Sequence, residues 1–195
     1  AYDMGNAYAP GFWSLNAYDN SYSLHFTKHG ESYHTTPTVP QLELRKAYEV
    51  TSSSHRDSLY ISAFPHPDGS YDITGTYPQR VEKLRIRGAL PNPPLFVAHH
   101  LREVLKAQGI TTQGEAQVDH QLPAGNQLLY TYQSAPLRTL AQTTLHYSLN
   151  LFAEGLLQQL TWGKTPLPGQ NATQTAVNEV HRYWTSRGIN TRELE

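Results

Sequence analysis

At 195 residues the chain is long enough to bury a substantial core as one domain or one and a part, and it needs no staples to fold. It has no cysteine, which excludes disulfides and thiolate metal sites, and a net charge of -1 offers no basic patch to nucleic acid or an anionic membrane. No stretch approaches the ~18 apolar residues of a membrane span, while thirteen tyrosines and thirteen prolines against 16% charged residues favour a turn-rich β part over a helical bundle.

Residues 2–20 alternate aromatic and turn residues and read as a loop feeding a strand. Tyr22, Leu24 and Phe26 then alternate with Ser21, Ser23, His25 and Thr27, the period-2 pattern of a half-buried strand, with Lys28 to Glu31 as a turn into a hairpin. A second hairpin follows, with Leu59, Ile61 and Ala63 on one arm, Asp68-Gly69 at the turn, and Tyr71, Ile73 and Tyr77 on the other. Residues 81–87 add a strand with Leu84 and Ile86 on one face.

The composition shifts at Gly88-Ala89-Leu90-Pro91-Asn92-Pro93-Pro94, where prolines end the strand and preset the first turn of a helix. Val97, Ala98, Leu101, Val104 and Leu105 carry that helix to a stop at Gly109. A polar loop occupies 113–126, and residues 128–132 read as extended. Pro136 opens a helix with Leu137, Leu140, Ala141 and Leu145 on its apolar face, and a second helix carries Phe152, Ala153, Leu156, Leu157 and Leu160. Residues 162–170 form a Pro/Gly linker before a last helix with Ala176, Val177, Val180, Tyr183 and Trp184, which stops at Gly188. The expected organisation is a mostly antiparallel β region at 1–88 and a mostly helical region at 89–195, an α+β class.

Between the two central helices stands Ser148-Leu149-Asn150, a hydroxyl and a carboxamide two residues apart. A Ser-x-Asn triplet is the second of three elements in penicillin-recognising serine enzymes, beside an S-x-x-K nucleophile and base and a K-T-G substrate strand. The plainer role for Ser148 is an N-cap on the run from Leu149 to Leu160. A second match, Ser14-Leu15-Asn16, lies among turn residues with no helix behind it and serves as a decoy. The ten histidines imply no metal site: His25 and His29 straddle a strand and its turn without an acidic ligand set, and the adjacent His99 and His100 cannot both face one ion. Asn171-Ala172-Thr173 fits a glycosylation acceptor and, more simply, a helix start.

The surroundings of the triplet carry a resemblance. Tyr132-Gln133-Ser134-Ala135-Pro136-Leu137, a short helix, and then Ser148-Leu149-Asn150-Leu151-Phe152-Ala153-Glu154 with Leu156-Leu157 resemble the D-alanyl-D-alanine carboxypeptidase/endopeptidase family of class C low-molecular-mass penicillin-binding proteins. The segments at 3–9 and 15–20 resemble the family's entry into a β-rich insertion. Those at 75–78 and 90–96 resemble the return from it, and the final helix with Arg187-Gly188-Ile189-Asn190 also fits. The resemblance implies that residues 89–195 belong to a penicillin-binding (serine β-lactamase-like) catalytic domain. It also implies that Ser148 and Asn150 are catalytic, that no cofactor is needed, and that the protein is exported to the periplasm. The implied partners are D-Ala-D-Ala stem peptides of peptidoglycan and, in the complete enzyme, β-lactams; no nucleic acid is implied, and no oligomeric state is signalled.

The chain also departs from the family pattern. No serine is followed three residues later by lysine, and Lys164-Thr165-Pro166 is a poor K-T-G because proline lacks the backbone donor a strand needs. The S-x-x-K and K-T-G segments are therefore expected outside these residues, which leaves the chain inactive alone. A hydrophobic Leu149 stands where many relatives carry Asp or Asn, which bears on substrate preference. The alternative is a non-catalytic cell-wall or peptide-binding module on the same scaffold.

Overall fold

The computed structural model describes residues 5–7, 9–52, 58–119, 125, 127–164 and 171–191. It is α+β and divides into two compact units, Ala1–Thr131 and Tyr132–Glu195. The compositional shift near residue 88 marks the change from strand to helix, whereas the compact units part after the first helix.

Among the described residues, the first unit holds six strands and one α-helix. Strands β1 (Ser21–Thr27), β2 (Ser32–Thr36) and β6 (Leu84–Ala89) form one antiparallel sheet with β1 in the middle. A second sheet has the order β3 (Leu44–Thr51), β5 (Tyr71–Pro78), β4 (Tyr60–Ile61). The alternation read in β1 is the one that folds: Tyr22, Leu24 and Phe26 are buried, and the residues between them face outward. Phe26 lies 5.6–6.2 Å from the rings of Tyr33, Tyr48 and Tyr77, which come from both sheets. The phenol hydroxyls then close the layer by donating to main-chain carbonyls: Tyr33 to Leu44 (2.7 Å), Tyr77 to Val81 (2.8 Å) and Tyr48 to Gly30. Each ring thus buries apolar area while its polar end stays paired.

One strand departs from the expected pattern. β3 pairs with β5 in parallel, Leu44 opposite Tyr71 through Thr51 opposite Pro78, within a β region expected to be mostly antiparallel. It is an edge strand whose Arg45, Lys46, Ala47 and Glu49 are exposed, so only Leu44 and Tyr48 of its apolar residues pack on the core cluster. Charges on such an edge oppose pairing with another chain, and they also erase the alternation that would announce a strand. The second hairpin has its turn where Asp68-Gly69 requires it, with Gly69 at φ +85°. There Ser70 donates both its hydroxyl (2.7 Å) and its amide (3.1 Å) to the Asp68 carboxylate; these bonds, with Arg45 alongside, lower the Asp68 pKa to about 2.

The loop into β1 is held by a buried asparagine. Tyr18, Asp19 and Asn20 all have φ near +50°, an unfavourable conformation for residues with a Cβ. Asn20 secures it: its amide donates to Gly11 O (2.9 Å) and to Asn16 Oδ1 (2.6 Å), and its side-chain oxygen accepts from Ala17 N (3.1 Å). Its own carbonyl accepts from Leu90 N at 2.7 Å, tying the loop to the chain after β6.

Helix α1 (Pro93–Ala107) starts and stops on the predicted signals. The Asn92 side chain accepts from Leu95 N (3.1 Å), and prolines fill the first turn. At the other end Gly109 N bonds to Lys106 O and Ile110 N to Leu105 O, with Gly109 at φ +77°. Phe96 is the helix's buried anchor in the core, whereas Leu101 and Val104 of the expected stripe are exposed.

Among the described residues, the second unit is three helices: α2 (Leu137–Tyr147), α3 (Asn150–Gln159) and α4 (Ala172–Thr185). α3 packs against both others. Asn171 caps α4 by accepting from Gln174 N at 2.8 Å, the helix-start role read for it. Ala176 is fully buried, and the chain turns at Gly188 as expected.

Gly88 gives the first unit a sharp test. It faces Tyr22 across the β1–β6 ladder, and a Cβ there would lie 2.5 Å from Tyr22 Cζ and 2.6 Å from its hydroxyl. Gly88→Ala should therefore destabilise the unit by about 1–3 kcal/mol through overpacking, measured as a lower midpoint in chemical unfolding; an unchanged midpoint would show that Tyr22 does not lie across the strand.

Candidate active site

The predicted pair falls at the corner between α2 and α3. Ser148 is left-handed, φ 53° and ψ 50°, a conformation in which a helix normally ends on glycine. The Thr144 carbonyl makes the corner, accepting from both Ser148 N and Leu149 N, the latter at 3.2 Å. Thr144 is itself buried and turns its hydroxyl back onto Leu140 O at 2.7 Å, so the acceptor is fixed by a packed turn of helix.

This geometry corrects the capping expectation. Leu149, not Ser148, occupies the N-cap of α3, and no side chain caps that end. The Ser148 hydroxyl has no hydrogen-bond partner among the described residues, and its side chain is exposed. Asn150 is the first residue of α3 and is exposed at the same corner. The two residues thus flank a helix junction, with Leu149 between them partly buried. Ser148 is one of seven described non-glycine residues at positive φ, and its backbone ends α2.

The decoy triplet is different in kind. Asn16 accepts from Trp13 N (3.0 Å) and donates to Trp13 O (2.6 Å), so its carboxamide closes a local loop, besides serving Asn20. Its hydrogen bonds are used in holding the chain, and Ser14 is followed by a three-residue 3-10 turn, Tyr18–Asn20, and then β1 rather than by an α-helix. Lys164 likewise has a structural partner, Glu179 Oε2 at 2.8 Å, while residues 165 and 166 of the poor K-T-G match lie outside the described residues. His25 stacks on His34 across the β1–β2 pair, 5.0 Å between centroids, and His100 stacks on Phe96 at 5.8 Å.

Around the corner the last turns of α2 present His146 and Tyr147, in edge contact at 4.6 Å, beside a shallow depression lined also by Gln142, Thr143 and Leu145. Sequence reasoning did not single out Thr144, whose carbonyl sets the corner. Its only signal is its position, four residues before the serine, where an αL turn takes its acceptor.

The sequence model of the D-Ala-D-Ala carboxypeptidase 3 (S13) family matches residues 1–195. The chain belongs to that family. Among solved structures, penicillin binding protein 4 (dacB) from Haemophilus influenzae is similar at 19% identity and a TM-score of 0.68, over 97% of this chain and 42% of that one. The same protein complexed with a novel β-lactam (CMV) is similar at 19% identity and a TM-score of 0.57, over 77% of this chain and 35% of that one. At this identity the likeness is one of fold. This S13-family chain spans about two fifths of the length of that structure.

If Ser148 is free of structural duty, its replacement should leave folding intact. We expect Ser148→Ala to change stability by no more than about 0.5 kcal/mol, as for an exposed position. Ser148→Gly should be neutral or more stable by up to about 1 kcal/mol, because it removes the left-handed penalty. Thermal unfolding of both variants decides the matter; a loss of about 1 kcal/mol in Ser148→Ala would return the residue to a capping role.

Proposed function

We propose that this chain forms part of a serine-type D-Ala-D-Ala carboxypeptidase/endopeptidase that hydrolyses peptidoglycan stem peptides through an acyl-enzyme, and that the complete enzyme binds penicillin and works in the periplasm. The observation that carries the reading is the left-handed Ser148, its hydroxyl unpaired among the described residues, two residues before Asn150 at a helix start. Family membership over all 195 residues supports it. Further support comes from the apolar surface of the second unit: Leu145 and Trp162 are more than 80% exposed, and Leu137 and Tyr147 are about two-thirds exposed. Single exposed apolar residues are ordinary, but several on one small helical unit fit a surface that the remainder of a peptidase domain covers.

In this proposal the nucleophilic serine and its lysine base come from an S-x-x-K segment outside these residues. The serine oxygen attacks the carbonyl carbon of the penultimate D-Ala as the lysine takes its proton. As the C–N bond to the terminal D-Ala breaks, the Ser148 hydroxyl passes a proton from the lysine to the departing amine. Asn150 holds the lysine and bonds the substrate's acyl amide, positioning work that lowers the entropic cost of reaction. Water then hydrolyses the ester and restores the serine. Leu149, with its side chain partly buried, takes no part in these steps. Among the described residues no helix is long and apolar enough to cross a membrane.

One observation favours a second reading. The absence of any S-x-x-K within the 195 residues is what a non-catalytic cell-wall or peptide-binding module on this scaffold would show. A fluorescent penicillin separates the two. The 195-residue chain alone should take no covalent label, whereas the complete protein should be labelled at a serine outside residues 1–195 and should release D-Ala from a D-Ala-D-Ala peptide. A complete protein that neither labels nor releases D-Ala would establish the binding-module reading, and a label mapped to a serine within this chain would overturn the assignment of the nucleophile.

A further inference from the structure

One stretch is exposed from end to end although its composition is that of a strand. Residues 127–139 are all exposed, and Leu128, Leu129, Tyr130 and Tyr132 are each 80–89% exposed. In an extended chain Leu128, Tyr130 and Tyr132 share one face, with Leu129, Thr131 and Gln133 on the other. Neither glycine nor proline interrupts residues 127–135, and tyrosine and threonine favour strands. Yet these residues belong to no helix or strand, and among the described residues the main chain of 127–133 makes no main-chain hydrogen bond.

A single exposed apolar residue is ordinary; four within five positions are not. The stretch also carries no charge from Gln127 through Leu137. An uncharged, apolar, strand-forming window without proline pairs readily with other strands when left open. The contrast lies within this chain: β3 is an open edge, and it is blunted by exposed Arg45, Lys46 and Glu49. Residues 127–133 have no such guard, which is the composition of a strand that is covered rather than of an edge. The source of the cover follows from the comparison with the Haemophilus influenzae structure. The likeness takes in 97% of this chain but 42% of that one, so more than half of that structure has no counterpart in these 195 residues.

We propose that residues 127–133 form a β-strand that pairs with a strand of the same polypeptide from outside residues 1–195, burying Leu128, Tyr130 and Tyr132. The inference rests on the reading of this chain as part of a longer enzyme. Pro136, the N-cap of α2, follows the strand directly, and Ser148 ends that helix. The strand therefore anchors the start of α2, and through that helix it sets where the Ser148 corner stands against the segments that bring the nucleophile.

Amide hydrogen exchange, read by mass spectrometry on peptides covering 127–133, tests this in the 195-residue chain and in the complete protein. The amides should exchange at nearly the unstructured rate in the chain alone and at least about a hundredfold more slowly in the complete protein, at any protein concentration. Tyr130→Asp should leave the melting temperature of the chain alone unchanged and lower that of the complete protein by at least about 2 °C. Fast exchange of 127–133 in a complete protein that releases D-Ala would overturn the strand and leave the enzyme reading standing. Slow exchange in a complete protein that releases none would uphold the strand and remove the enzyme reading. Slow exchange already present in the chain alone would overturn the assignment of the partner, in favour of a second copy if it grows with concentration and of a pairing within these residues if it does not.

Discussion

The candidate site depends on one carbonyl. Thr144 O accepts from two successive amides, and that double acceptance turns the chain out of α2 and into α3 within a single left-handed residue. Glycine would serve such a turn most cheaply. A serine there carries the left-handed backbone penalty that glycine would avoid; in the proposed function its hydroxyl, unpaired among the described residues, is the placed polar group. Ser148 and Asn150 stand two residues apart because a single residue, Leu149, separates the left-handed turn from the first residue of α3.

The first unit rests on an analogous logic at larger scale. β1 is the middle strand of its sheet, and its inward face of Tyr22, Leu24 and Phe26 meets rings from both sheets. Tyrosine suits that layer because the ring fills it and the hydroxyl reaches a carbonyl across it. Among the described residues, Tyr22 alone of this group makes no such bond. The Asn20 knot and the chain after β6 come together at the same end of β1, so the strained left-handed run at Tyr18 to Asn20 is held by side-chain bonds to Gly11, Asn16 and Ala17 and by the main-chain bond from Leu90.

Much of this was legible in the sequence because local chemistry and tertiary placement agree. The β1 alternation, the Asp68-Gly69 turn, the prolines and Asn92 before α1, and the glycine stops at 109 and 188 each have one mechanical meaning, and each does that job. The edge strand β3 was not legible: an edge exposes one rim and often one face, so charges replace the alternation and its parallel partner lies twenty or more residues away. The triplet at 148–150 was legible as a motif, but the role of its serine at the helix boundary was not. Capping depends on which residue takes the extended conformation, and the αL turn moved that position to Leu149. That the Tyr22 hydroxyl has no partner among the described residues left no trace in the sequence, since pairing is a fact about distances.

The most direct test of the central claim is turnover of a D-Ala-D-Ala peptide by the complete protein carrying Ser148→Ala, beside the same protein carrying Ser14→Ala. The account predicts that Ser148→Ala lowers turnover by roughly 10²–10⁴-fold, the size of a positioned acid–base contribution, with an unchanged melting temperature, and that Ser14→Ala turns over like the parent. Full turnover in Ser148→Ala, or a loss confined to Ser14→Ala, would contradict it.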